Sequence, residues 1–393
     1  MTLVWLYICS VVILFRCSNG IRGGIEVSTA KGYVVYLVMA KDSDQKYIGW
    51  TCGGAIVSKW HILTSAACVT DVVYMYAIAG YDTYVPTDEL DKDKCTRNTR
   101  KKIVHLYSHR DYKFRYKEMT QWAMIDIALA RVESHYIFDD EVYTTYCSYK
   151  PTIIPINYDS KYQGPTTDVI IFGWGHRRYW REEGDTTDYN QKKLHYASTK
   201  IYPQELCKEF YEPDMHSAIE RYMFCTHGRG KLDETGNHIN GTTNKLIDGC
   251  STVLQNGEIR WQCIGVQEKE TLDNWMKINN TTSVKYKKVG ICQNDHGGPV
   301  VAWVGSREVV IGVASGFRVS SQLKCIGPCL MTSTFCSGYF LDCILSSTRI
   351  VQGIKNAEGK CVARPFDDVG GDITILERTI SWYNHSDGPA DNE

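Results

Sequence analysis

Cys52-Gly-Gly-Ala-Ile-Val-Ser-Lys-Trp-His-Ile-Leu-Thr-Ser-Ala-Ala-Cys68 decides the fold. Its centre, Trp60-His-Ile-Leu-Thr64, is aromatic and β-branched, which reads as a strand flanked by a glycine pair and a small-residue turn. Similar runs lie outward in both directions, at Gly32–Met39, Asp168–Phe172 and Val309–Val313, separated by Gly, Asp and Pro turns. Helical periodicity is confined to Pro203–Glu212 and Ser337–Ser347, which argues against a parallel α/β sheet and for an all-β chain. The chain has 393 residues, 43% of them hydrophobic, enough for two domains with sizeable cores. That excludes wholesale disorder. A formal net charge of −1 removes the basic excess that nonspecific nucleic-acid binding requires.

Sixteen cysteines point to an oxidising compartment. Leu3–Phe15 is an apolar run of thirteen, followed by Cys17-Ser-Asn-Gly20 with small residues at the cleavage positions. The run is shorter than the ~20 residues that cross a bilayer, so residues 1–20 read as a signal peptide cut after Gly20, with a signal anchor as the alternative. Removing Cys9 and Cys17 leaves fourteen cysteines, compatible with complete pairing. Asn240, Asn279, Asn280 and Asn384 each begin a glycosylation tripeptide, and three of them fall between Cys225 and Cys292. Sugar needs a surface site, so residues 226–289 read as a surface insertion.

Two further blocks follow the first in order, Asp126-Ile-Ala-Leu129 and Asn294-Asp-His-Gly-Gly-Pro-Val300. Ile21-Arg-Gly-Gly24, Phe172-Gly-Trp-Gly175, Cys207 and Met223-Phe-Cys225 add to them. Over roughly residues 21–347 the chain resembles the trypsin/chymotrypsin family of serine proteases. The resemblance implies two packed six-stranded antiparallel β-barrels with a cleft between them and a short helix closing the second. The expected divisions are a first barrel at 21–147, a linker at 148–166, a second barrel and helix at 167–347, and a polar tail at 348–393.

The departures from the family pattern bear on activity. Where active relatives carry the general-base histidine this chain has Ala67, and where they carry the nucleophilic serine it has His296; of the three triad positions only Asp126 keeps its residue. Acyl transfer needs a hydroxyl to attack, an imidazole to take its proton and a carboxylate to fix that imidazole. The resemblance therefore implies a noncatalytic member. An active or weakly active hydrolase rewired around His296 is the alternative, and a structural extracellular protein is a third reading. His296 with Asp126 lacks the third ligand a metal site would need, so neither metal nor cofactor is expected.

Asp295 is retained, and in relatives it pairs with the amine of an N-terminal isoleucine, here Ile21. Gly290 and Ile291 correspond to the base and wall of the primary specificity pocket; with no acid at the base, an intact pocket would suit apolar or aromatic groups. The resemblance pairs Cys52 with Cys68, Cys207 with Cys225, and Cys292 with Cys325 or Cys329, while Cys250 and Cys263 within the insertion are expected to pair with each other. Cys95, Cys147, Cys336, Cys343, Cys361 and one of Cys325 or Cys329 stay unassigned. His105 and His109 are four apart, but Ile103–Tyr107 reads as a strand, which denies them a shared helical face. Basic residues concentrate between Lys92 and Lys117. The resulting expectation is a secreted protein that binds an extracellular protein or an acidic glycan, as regulator or cofactor in a proteolytic or immune cascade. No nucleic acid and no membrane span in the mature chain are expected, and the oligomeric state is open.

Overall fold

The computed structural model describes residues 21–41, 49–70, 72–110, 112–113, 119–176, 180–182, 184–239, 289–347 and 375–383, and the backbone of 250–255 and 258–263. Residues 1–20, Asn240, Asn279, Asn280, Asn384 and Cys361 lie outside them.

The strands are β1 (Ile25–Glu26), β2 (Val34–Met39), β3 (Thr51–Ile56), β4 (His61–Thr64), β5 (Met75–Ile78), β6 (Lys101–His109), β7 (Ala128–Val132), β8 (Asp168–Gly173), β9 (His195–Tyr202), β10 (Met223–His227), β11 (Cys250–Gln255), β12 (Glu258–Cys263), β13 (Pro299–Val304), β14 (Arg307–Val319), β15 (Cys325–Ser333) and β16 (Ile375–Thr379). In order β6-β5-β2-β3-β4-β7, with β7 bonded back to β6, six strands close a first antiparallel barrel. A second closes as β9-β10-β15-β14-β13-β8, with β8 returning to β9. Closure needs strands that bend and change partner. β6 pairs with β5 through Lys101 and Lys102, then shifts register between Ile103 and His105 as it pairs with β7. β14 is irregular between Ala314 and Gly316, which leaves Ser315 as the extra residue of a bulge. The insertion contributes the hairpin β11–β12, whose register sets Cys250 opposite Cys263.

The interior is apolar where the sequence alternates or runs continuously with β-branched residues. β2 is buried at every position, and Tyr36 packs edge-on against Trp174 at 5.0 Å. Val169 and Ala302, which stand where many relatives have a disulfide, are both fully packed in the second core. The helix Gly338–Ser347 inserts Phe340, Leu341 and Ile344 into the larger apolar cluster, which joins the first barrel to Ile170, Phe172, Val301 and Val310 of the second. Residues 148–166 bond to both units: Ile154 N–H donates to Ile56 O and Asn157 N–H to Val310 O, each at 2.9 Å.

Disulfides join Cys52 to Cys68, Cys95 to Cys147, Cys207 to Cys225 and Cys292 to Cys325. Cys343 is also disulfide-bonded, to a partner outside the described residues. Complete pairing is not realised, because Cys329 and Cys336 are free thiols. With Cys292 bonded to Cys325, Cys329 Sγ instead meets the Ile291 N–H and the Arg22 guanidinium.

Part of the polar tail is structural. β16 adds a seventh strand to the first barrel, running from Ile375 opposite His109 to Thr379 opposite His105. The Arg378 guanidinium donates to the carbonyls of Val69, Thr70 and Val72, the last at 2.7 Å. Trp382 is buried against Tyr74 and Tyr76 and donates its indole N–H to Ile103 O at 2.8 Å. Replacing Trp382 by alanine should cost about 3 kcal/mol or more of tail docking. Amides of β16 and of Leu106–His109 should then exchange at least ~10²-fold faster, a change readable by hydrogen exchange. Unchanged protection would show that the tail is held without its anchor.

Candidate active site

The first barrel delivers the turn that follows β4. Ser65 caps the short helix Ala66–Cys68, its hydroxyl accepting from Ala67 N–H at 3.2 Å. Asp126, fully buried just before β7, receives Ser65 O–H at 2.5 Å and Ala67 N–H at 2.7 Å on Oδ1. Its Oδ2 receives Ser315 O–H at 2.6 Å, a contact across the cleft made possible by the β14 bulge. Burial pushes the Asp126 carboxyl up, and the donated hydrogen bonds oppose that shift. No hydrogen bond joins Asp126 to His296 among the described residues, so the rewired pair considered from sequence is not formed.

His296 is half-buried between aromatic rings instead. Trp122, from the helix Met119–Trp122, lies 5.8 Å from it and Phe317 of β14 lies 5.6 Å away, centroid to centroid. Trp180 continues the row 5.8 Å beyond Phe317. Desolvation lowers the His296 imidazole to about 4, so it is neutral at pH 7. Its carbonyl accepts from Gly53 N–H at 2.7 Å, which ties the second barrel to the first.

Asp295 points inward. Fully buried, its carboxylate accepts N–H groups from Gly175 and Cys292, each at 2.9 Å. Burial raises it to about 8. Ile21 is also fully buried, and a Cβ added at Gly173 would strike Asp295 Oδ1 and lie 3.6 Å from Ile21 Cδ1, which makes the two residues neighbours. Gly290 and Ile291 are both closely packed. A Cβ at Gly290 would come within 2.6 Å of both Arg22 Nη2 and Cys329 Sγ, and Ile291 is fully buried.

The other histidines lie apart from this cluster. His61 sits in β4 with Nδ1 2.9 Å from Ser58 Oγ, and burial lowers it to about 4. His105 and His109 are both on β6, where His105 lies 3.2 Å from Glu377. No group of three or more His, Cys, Asp or Glu side chains could hold a metal among the described residues. Sequence reading missed Ser65, Ser315, Trp122, Phe317, Arg22 and Cys329. Ser315 had a signal, being a polar residue inside a long apolar strand, and Ser65 stands within the opening block; the others gain meaning only from barrel packing.

Two closed six-stranded antiparallel barrels, with an inter-barrel cleft at Asp126 and His296, define a protein of the trypsin-like fold. The Trypsin family profile matches residues 21–238, more than half of the chain, and the chain belongs to that family. It is similar to venom serine protease 34 of Apis mellifera, 25% identical over 186 residues that cover 47% of this chain and 39% of that protein. A venom serine protease of Polistes dominula is 24% identical over 210 residues, 51% of this chain and 65% of the relative. The match thus spans less than two thirds of either relative. Among solved structures, human heparin binding protein aligns over 83% of this chain and 97% of its own with 15% identity and a TM-score of 0.48. Among the described residues, no helix is long and apolar enough to cross a membrane.

Proposed function

We propose that this trypsin-family protein is secreted, glycosylated and noncatalytic, and works by binding an extracellular protein or an acidic glycan, as a regulator or cofactor in a proteolytic or immune cascade. The observation that carries this reading is the bonding of Asp126. Its carboxylate is engaged by Ser65, Ala67 and Ser315, no imidazole bonds to it among the described residues, and the neutral ring at the nucleophile position packs against Trp122 and Phe317. Loss of a triad member leaves ~10³ to 10⁴ over water, and losing a second adds little because the members act as a unit. The venom serine proteases support an extracellular setting, as do the disulfides. In the same reading signal cleavage frees the Ile21 amine, which pairs with Asp295 at folding.

A fluorophosphonate serine-hydrolase probe should leave the purified protein unlabelled, with turnover of peptide substrates at background. Time-dependent labelling or turnover abolished by His296→Ala would overturn the noncatalytic reading. Retention on an immobilised sulfated polysaccharide, weakening as salt rises, is the outcome expected of an acidic-glycan partner; salt-independent retention would point to a protein.

A further inference from the structure

Among the described residues, Arg22 is a buried cation with no carboxylate partner. Its Nη1 donates to Cys325 O at 2.6 Å, and its Nη2 to Gly327 O at 3.1 Å and Val289 O at 3.2 Å. Nη2 lies 3.8 Å from Cys329 Sγ. Nε is buried with no hydrogen-bond partner, and among the described residues no carboxylate lies within ion-pair distance of the guanidinium. Stability alone does not account for such an arrangement, since a buried charge held by carbonyls and a thiol is costly compared with an apolar side chain of similar volume. Its location is informative. The guanidinium and the Cys329 sulfur both press on Gly290, one bonded to the β15 end of the site and the other emerging from that strand. A further backbone bridge joins Arg22 to Gly290 directly.

We propose that Arg22 and Cys329 form an internal plug that occupies the specificity pocket at Gly290, so that the chain's own guanidinium takes the place of a ligand side chain. Arg22 directly follows the buried Ile21, so seating Ile21 and seating the plug are one event. The ordering of the N-terminus then shuts this pocket, and recognition by the cleft does not run through it. With the Arg22 guanidinium removed, the exposed base is a glycine beside an isoleucine and the Cys329 sulfur, a surface for a small flat apolar group and not for a cation. The plug deepens the noncatalytic reading but does not depend on it, because its test measures no turnover.

Thiol accessibility provides that test in the full secreted chain, with half-buried Cys336 as internal reference. Under native conditions Cys329 should be alkylated by iodoacetamide at least ~10²-fold more slowly than Cys336, as mapped by mass spectrometry. Arg22→Ala should speed Cys329 at least tenfold and leave Cys336 unchanged. Indole should bind Arg22→Ala and the independent variant Cys329→Gly, and show no saturable binding to the unaltered protein. Equal reactivity of Cys329 and Cys336 in the unaltered chain would overturn the proposal. So would an Arg22→Ala protein of native circular dichroism in which Cys329 stays as slow as before, or indole binding that is the same with and without the plug.

Discussion

At pH 8, a chain beginning at Ile21 should be more stable than the same chain carrying one extra residue, Gly20, by about 3 to 5 kcal/mol. The difference arises at Asp295. With Ile21 joined to a preceding residue, the Asp295 carboxyl has two backbone donors and no cation among the described residues, and its protonation midpoint lies at about 8 against an ordinary 3.8. A carboxyl raised in the folded state contributes stability below its unfolded midpoint and loses it as pH rises through the folded one. The extended chain should therefore weaken between about pH 4 and pH 8. A free Ile21 amine supplies the missing positive charge, so the shorter chain should hold its stability across that window. Asp295→Asn sharpens the comparison: it should strengthen the extended chain at pH 8 and weaken the one that starts at Ile21. Denaturant unfolding at pH 4, 6 and 8 on the four proteins checks this, and a pH-independent difference would remove Asp295 as the cause.

Gly297→Ala should be among the most damaging single-methyl changes, costing about 2 to 5 kcal/mol. Two penalties coincide there. The backbone is left-handed at φ 75°, and the added Cβ would strike Thr64 Oγ1 and lie 2.5 Å from Gly53 O, where the two barrels meet. Across the contact, a Cβ at Gly53 would approach Gly298 Cα at 2.5 Å and Gly298 N at 2.7 Å, both backbone atoms, so the barrels themselves would have to part. Gly305→Ala separates the terms, since φ is 63° but nothing lies within 4 Å; it should cost only about 1 to 2 kcal/mol. Equal losses at Gly297 and Gly305 would mean that close approach of the barrels contributes nothing.

Gly53 and Gly297 adjoin His296, and so the packing that joins the barrels also builds the candidate site. Gly53 donates its N–H to the His296 carbonyl, and neighbouring strands supply Thr64 and Ser65. Ordered motifs announced the barrels because strand runs and turn residues report local backbone preference, which survives in a one-dimensional pattern. Residue identity was equally legible: a sequence row suffices to find alanine and histidine at two chemical positions. The strand within the tail was not legible for the same reason. Ile375–Thr379 alternates weakly and sits in a polar context, and only its register on β6, with Arg378 and Trp382 finding partners in the first barrel, makes it a strand.

The sequence by itself determined the all-β class, the family, and which side chains stand at the triad positions, since each depends on local pattern or on residue type. Tertiary structure alone decided where Asp126 spends its hydrogen bonds, that His296 lies among aromatic rings, and that Arg22 and Cys329 fill the space at Gly290. Those outcomes join residues up to 307 positions apart, as with Arg22 and Cys329, and such contacts are set by barrel closure and packing, which no local preference encodes.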